Sequence, residues 1–454
     1  MLQLLHFTAL SLGAFAYRAK PREVSGPISA WTAQWQGAVG EPFEVPWFTR
    51  QLWKKQGCPM ACHVDWNDGS TVMPRGPLLG QGDFGMTALS EQLPQCSPDP
   101  CAPRPTPGSP ATGNISLQLG SNQLWAISDK DWSQCHYDEA TCSANGQPIN
   151  LTNESANGNG CWVGWLPGCR NGFPRRVGLG GLNFSSPAFA GLSSRFVAEQ
   201  RMREGIVSAG YVRADGATLT TTSLMDDATK AMLTDLTYNA SAGSGSISVR
   251  IALWTYDMTI DTTDAAAVAN SSTAAVADGT PYVTRKTLPD SWNASAQIHA
   301  AMATRVLPQA SGSRDVGAVD ITEWSVEGDS VVATVQLAPG QAVTLVTAMF
   351  TSRDAAANAT GNPYPSPPWK QYDPLPLTLA YIRLMDFGKS MVMRESSSAW
   401  WAAFWAKSSI SIPSEPLIEF FWNAAQYVLG SASRPGKVVP ALFGPWVGFL
   451  CCLG

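Results

Sequence analysis

The stretch EPLIEFFWNAAQYVLGSASRPGKVVPALFGPW, from Glu415 to Trp446, decides how this chain is read. It follows WWAAFWAKSSISIP, Trp400 to Pro413, which ends one helix before Pro413 and Ser414 open the next, as Pro and Ser commonly do. From Glu415 to Leu429 apolar side chains cover most of the helix: Leu417, Ile418, Phe420, Phe421, Trp422, Ala424, Ala425, Tyr427 and Val428. Only Glu415, Glu419, Asn423 and Gln426 form a narrow polar stripe. A helix apolar nearly all round predicts burial in a large core. Nine residues past Pro445 the sequence ends, in the apolar run VGFLCCLG. The expectation is therefore a domain cut short, as in a truncated or mis-spliced gene product.

The same stretch resembles the early barrel of the six-hairpin, (α/α)6-barrel glycosidases, most closely the glycoside hydrolase family 95 type. The matching features are the turn Ser433-Arg434-Pro435-Gly436, then Pro440, then Leu442-Phe443-Gly444-Pro445-Trp446. Val447 stands where that family has Asn. The block Trp400, Trp401, Phe404, Trp405 is similar to the join between the family's β-domain and its barrel, with Ser397 where homologues often carry His. Near the other end, Pro77-Leu78-Leu79-Gly80-Gln81-Gly82-Asp83-Phe84-Gly85 resembles the family's opening motif, with Gln81 in place of the usual Asn. Gly120-Ser121-Asn122-Gln123-Leu124-Trp125 resembles its Gly-x-Asn-x-x-Trp element. Three such stretches in family order make chance a poor explanation.

Composition is compatible with that reading. The 454 residues are 44% hydrophobic and only 14% charged, with net charge −5; mean hydropathy is −0.06 and the pI about 5.5. That describes a globular chain with ample core. No basic stripe is present, which argues against nucleic acid as a partner. The 18 Trp residues are mostly expected in the core, although an exposed indole suits stacking on a sugar ring.

Residues 1–16 read as a signal peptide: Leu2 to Ala16 is largely apolar, too short to span a membrane, and closes on Ala14-Phe15-Ala16. A secreted or secretory-lumen location follows as an expectation. Eight of the ten cysteines, Cys58, Cys62, Cys96, Cys101, Cys135, Cys142, Cys161 and Cys169, cluster in one region and suggest a disulfide framework. Local pairs are attractive, but the connectivity stays open. Cys58, Cys62 and His63 with Cys135 and His136 could imitate zinc ligands, and an oxidising compartment favours disulfides over metal. Candidate N-glycosylation sequons lie at Asn114, Asn150, Asn153, Asn183, Asn239, Asn270, Asn293 and Asn358.

Between leader and barrel the pattern is strand and turn. Ser246 to Trp254 alternates with period two. Val331–Leu337 and Ala342–Phe350 flank Ala338-Pro339-Gly340-Gln341 and read as a hairpin. Ser97 to Gly113 reads as a Pro-rich exposed loop, and the Pro-rich stretch Asn362 to Trp369 as the exit from the sheets, with helical signals after Leu377. The expected architecture is β then α: an antiparallel β-sandwich over 17–350, linker helices over 351–412, and the first helices of an incomplete (α/α)6 barrel over 413–454.

Glycoside hydrolysis needs two carboxyl-type functions flanking the scissile bond. In the resembled family the reaction is inverting, with a barrel Glu as acid and an Asp-assisted Asn pair activating water. By resemblance all of these lie beyond Gly454, so no catalytic residue is assigned and no cofactor or metal is expected. The pairs Asp65 and Asp68, Asp129 and Asp131, and Asp226 and Asp227 read as solvated turn carboxylates. The Gly80–Gly85 run lacks the Lys and strand-to-helix context of a phosphate loop. His6, His63, His136 and His299 form no triad with a Ser elbow. Arg434 and Trp446 are the candidates for proximity to substrate. The resemblance implies a secreted exo-glycosidase acting on α-L-fucose or α-L-galactose of a glycan, with this chain itself inactive. A non-catalytic carbohydrate-binding or interaction protein and a phosphorylase of the related barrel clan are the alternatives.

Overall fold

The computed structural model describes residues 32–37, 77–89, 113–126, 137–138, 143–144, 147–148, 175–176, 178–255, 272–287, 297–307, 319–440 and 444–446, apart from residues 192, 242, 367, 370 and 439. In chain order the strands are β1 (Thr32–Gly37), β2 (Leu78–Gly80), β3 (Phe84–Leu89), β4 (Asn114–Ser121), β5 (Trp125–Ala126), β6 (Tyr137–Asp138), β7 (Ser143–Ala144), β8 (Gln147–Pro148), β9 (Arg175–Arg176) and β10 (Gly180–Ser185). They continue as β11 (Ser194–Arg201), β12 (Ile206–Arg213), β13 (Thr218–Met225), β14 (Ala231–Asn239), β15 (Ile247–Thr255), β16 (Ser272–Ala277) and β17 (Thr280–Lys286). The last strands are β18 (His299–Leu307), β19 (Ser325–Glu327), β20 (Ser330–Leu337) and β21 (Ala342–Thr351). Four helices follow: α1 (Ser352–Thr360), α2 (Leu375–Arg383), α3 (Phe387–Lys407) and α4 (Pro416–Ala432).

Two antiparallel sheets form the body, a nine-stranded one in the order β1-β11-β12-β13-β14-β21-β18-β17-β16 and a seven-stranded one in the order β19-β20-β15-β10-β4-β3-β2. Strand β14 shows how sequence builds the layers. Its residues Met232, Leu236 and Tyr238 point into the core between the sheets, while Ala231 and Leu233 join a second core with Ile382 of α2 and Met393 of α3. Successive side chains on a strand face opposite ways, so a strand apolar at both phases serves two interfaces at once. Each fully buried Leu or Ile in these cores contributes on the order of 1.5–3 kcal/mol of transfer free energy. Helices α2 and α3 thus cover the outer face of the nine-stranded sheet, and the β-then-α order expected from sequence is the order observed. Among the described residues no helix is long and apolar enough to cross a membrane.

Local structure corrects the sequence reading at two places. Strands β20 and β21 occur where expected, but they do not pair as a hairpin: β20 pairs β15 in one sheet, whereas β21 pairs β14 and β18 in the other. The turn between them crosses layers. Its amides are taken up at once, Gln341 N donating to Ala338 O at 3.0 Å and Gly340 N to Tyr238 O at 2.8 Å, and Pro339 has no N–H with which to extend a ladder. Helix α4 starts at Pro416, later than the expected Pro413-Ser414 entry, with Pro416 at its first position.

Helix α4 is also not buried all round. Ile418 and Trp422 are 54% and 39% exposed, while Glu419 and Asn423 of the polar stripe are buried. Glu419 turns inward to hold the chain entering α4, its Oε2 accepting from Ile412 N at 2.7 Å. Helix α1 has a regular start, with Thr351 and Asp354 forming a reciprocal capping box and Gly361 ending it in the left-handed conformation.

Candidate functional site

The three stretches that carry the family resemblance meet in space. Strand β2 and its turn into β3 receive the end of α4 and the loop after it. Three successive carbonyls of β2 are each taken by a different side chain: Leu78 O by Tyr427 Oη at 2.8 Å, Leu79 O by Trp446 Nε1 at 2.9 Å and Gly80 O by Arg434 Nη2 at 2.9 Å. Beyond them, Gly82 N donates to Ser431 O at 2.8 Å and Val438 N to Asp83 Oδ1 at 2.8 Å. Asn122 of the second motif ties the two sides, its Nδ2 donating to Gly82 O and, at 3.2 Å, to Ala432 O. The glycines are required by approach: a Cβ on Gly80 would stand 2.5 Å from Ser431 O, and one on Gly85 2.7 Å from Pro445 Cγ. Gly82 sits at φ +96°, a conformation that favours glycine. Gln81, where the resembled family has Asn, is buried with neither end of its amide hydrogen-bonded among the described residues.

Arg434 is the centre of this junction. It is 5% exposed, and besides Gly80 it donates to Gly430 O at 2.8 Å and to Asp227 Oδ1 at 2.8 Å. Its guanidinium lies 3.4 Å from the centroid of the Trp400 ring. Burial draws the Arg434 pKa below the ordinary arginine value, and Asp227 works against that shift. Asp226 and Asp227 are accordingly not the solvated turn pair expected from sequence. Asp226 is buried and accepts from Thr229 Oγ1 at 2.9 Å, and Asp227 is the counter-ion of Arg434.

A second ionic cluster lies alongside, centred on Lys230, which no motif singles out. Lys230 bridges Asp83 at 3.1 Å and Asp354 at 2.7 Å. Gln123 donates to both carboxylates, at 3.4 Å and 3.3 Å, and accepts from the Thr351 hydroxyl. Burial alone would lower the Lys230 pKa; Asp354 and Asp83 more than offset it and leave the pKa above the ordinary lysine value. Next to these ions, the aromatic block of α3 packs on α4. Trp401 stacks on Tyr427 at a centroid distance of 4.9 Å, and Trp405 Nε1 donates to Met202 O at 3.2 Å. Of the carboxylates gathered here, Asp83, Asp227 and Asp354 each engage a cation, while Asp226 is held by the Thr229 hydroxyl. The arrangement fastens segments to one another.

Of the two candidates for proximity to substrate, Arg434 and Trp446 are both buried in this junction, with their polar hydrogens directed to backbone carbonyls and Asp227. The signal peptide, the Pro-rich loop up to residue 112, all ten cysteines and the sequons at Asn150, Asn153, Asn270 and Asn293 lie outside the described residues. Four sequons lie within them. Asn239 and Asn358 are exposed, and Asn114 is half-buried at the start of β4. Asn183 is 9% exposed in the interior of β10, where its Oδ1 accepts from Trp254 Nε1 at 3.1 Å. Expression in a eukaryotic secretory host is expected to place glycans at Asn239 and Asn358 and none at Asn183. Peptide mapping before and after enzymatic deglycosylation checks this, and an occupied Asn183 would contradict the strand placement.

Fold and junction together define a two-layer antiparallel sandwich with a short helical segment keyed into one edge. No family model matches the sequence, and no curated protein matches it. Forty-six chains of solved structures match. One of these, "Putative kojibiose phosphorylase from human microbiome", superposes with a TM-score of 0.48 at 10% identity over 89% of this chain and 42% of that one. This chain therefore spans less than half the length of that structure.

Proposed function

We propose that this protein is the sandwich and first helical part of a carbohydrate-active enzyme of the six-hairpin type, an inverting exo-glycosidase directed at terminal α-L-fucose or α-L-galactose. In this reading the 454 residues supply scaffold and not the catalytic acid. One observation carries it. The opening motif, the Asn122 element and the Ser-Arg-Pro-Gly turn resemble one family in order, and they form a single buried junction although up to 367 residues separate the bonded partners. Chance likenesses have no reason to touch. The leader and the cysteine cluster favour passage through the secretory pathway.

The test is a release assay on the purified chain with aryl α-L-fucoside, aryl α-L-galactoside and a fucosylated oligosaccharide, each with and without inorganic phosphate. No free sugar is expected from the 454-residue chain. Release of free fucose would overturn the assignment of these residues to scaffold. Release of a sugar 1-phosphate only when phosphate is present would replace the hydrolase reading with that of a phosphorylase.

A further inference from the structure

The edge of the sandwich opposite β2 carries a groove of about 600 Å³, within the ~300–1,000 Å³ range of ligand sites. Its walls are the β16–β17 turn, the end of β18, the segment leading into β19 and the last residue of α2. Three features give it a chemistry. Trp324 lines it while packing partly against the sandwich core, which anchors the indole; Ile321 and Pro281 extend the apolar wall. Arg383 and Asp278 pair at 2.8 Å with side chains 43% and 86% exposed. Arg305 Nη1 donates to Arg383 O at 2.7 Å and Met385 O at 2.9 Å, closing the end of α2 and fixing the position of Arg383.

The polar part of this lining is held on rigid backbone. Asp278 and Gly279 have φ +47° and +72°, the pattern of a two-residue hairpin turn that fixes strand geometry. Arg383 Nη2 also bonds Ala277 O at 3.2 Å. A ligand meeting such groups costs little side-chain ordering. An aromatic face beside a joined donor–acceptor pair matches a pyranose, which offers an apolar C–H face and a rim of vicinal hydroxyls. An anion fits less well, because the Asp278 carboxylate stands where Arg383 would hold it. Nor does the ion pair need a stability role, since exposed pairs contribute about 0–1 kcal/mol.

We propose that this groove binds a neutral oligosaccharide, with Trp324 as the stacking platform and the Arg383–Asp278 pair reading its hydroxyls. The proposal rests on the carbohydrate-directed reading above and adds a place of contact on this chain itself. Isothermal titration of the 454-residue protein with maltohexaose, cellohexaose, a fucosylated xyloglucan oligosaccharide and inorganic phosphate tests it. At least one oligosaccharide is expected to bind, with affinity lowered roughly tenfold by Trp324→Ala and by Arg383→Gln, and largely kept by Trp324→Phe. Arg383→Gln is a surface change and should leave the melting temperature unmoved, so its effect is separable from misfolding. Oligosaccharide binding unchanged in all variants would sink the groove assignment while leaving the carbohydrate reading intact. Absence of binding by every oligosaccharide, or binding of phosphate alone, would also overturn the proposal.

Discussion

Arg434→Ala is expected to destabilise the protein by about 2–4 kcal/mol, somewhat below the range for a fully buried ion pair because Asp227 keeps 31% of its side chain exposed. The substitution deletes the donors to Gly430 O and Gly80 O, strands Asp227 beside a cavity and removes the cation from the face of Trp400. Buried acceptors left without donors account for much of the cost. Arg434→Lys keeps the charge yet cannot make the same three bonds, because an ammonium lacks the planar fork. It is therefore expected to fall between wild type and Ala. Chemical denaturation measures the loss, and limited proteolysis shows where it occurs, with cleavage after α3 expected to rise first. A loss below about 1 kcal/mol for Arg434→Ala would remove Arg434 from the centre of the junction.

Trp401→Ala should cost a similar amount, about 3–5 kcal/mol for a large aromatic removed from a core. Its ring stacks between Trp405, at a centroid distance of 6.0 Å, and Tyr427, at 4.9 Å. Gly205, in the turn between β11 and β12, leaves the space that the indole fills. The cavity would open between sheet and helix and loosen the Tyr427 hydroxyl, one of the three side-chain donors to β2. Trp401→Phe should recover part of the loss. If the two substitutions Arg434→Ala and Trp401→Ala are combined, the sum should fall short of additivity, since both undo the same contact. Strict additivity would mean that the aromatic block and the arginine hold separate structures.

Much of this fold was legible residue by residue. Period-two alternation located β15, and the turn residues Ala338-Pro339-Gly340-Gln341 located β20 and β21 on either side, each to within a residue or so. What periodicity does not encode is partnership. It could not say that β20 and β21 belong to different sheets, nor that Glu419 and Asn423 face inward while Ile418 and Trp422 face out. The junction was half legible. Its glycines, Asn122, Arg434 and Trp446 stood out through the family pattern. Asp227 and Lys230 did not, since their roles come from groups 207 residues away in the case of Arg434 and 124 in the case of Asp354. An acidic pair near a turn looks solvated until the distant cation is known.

Among the described residues strand β2 ends its sheet, and a terminal strand normally offers its backbone to whatever strand arrives next. Successive carbonyls of a strand point to opposite sides, so the phenol of Tyr427 on Leu78 O and the guanidinium of Arg434 on Gly80 O block the side of β2 away from β3, while the indole of Trp446 takes Leu79 O. The helical segment therefore acts as a seal against self-templating. During synthesis those carbonyls wait roughly 350 residues for their partners, so the nascent sandwich passes through an interval in which one border is open to other chains. Chaperone demand should be highest in that interval and should fall once α4 and the Arg434 turn have emerged.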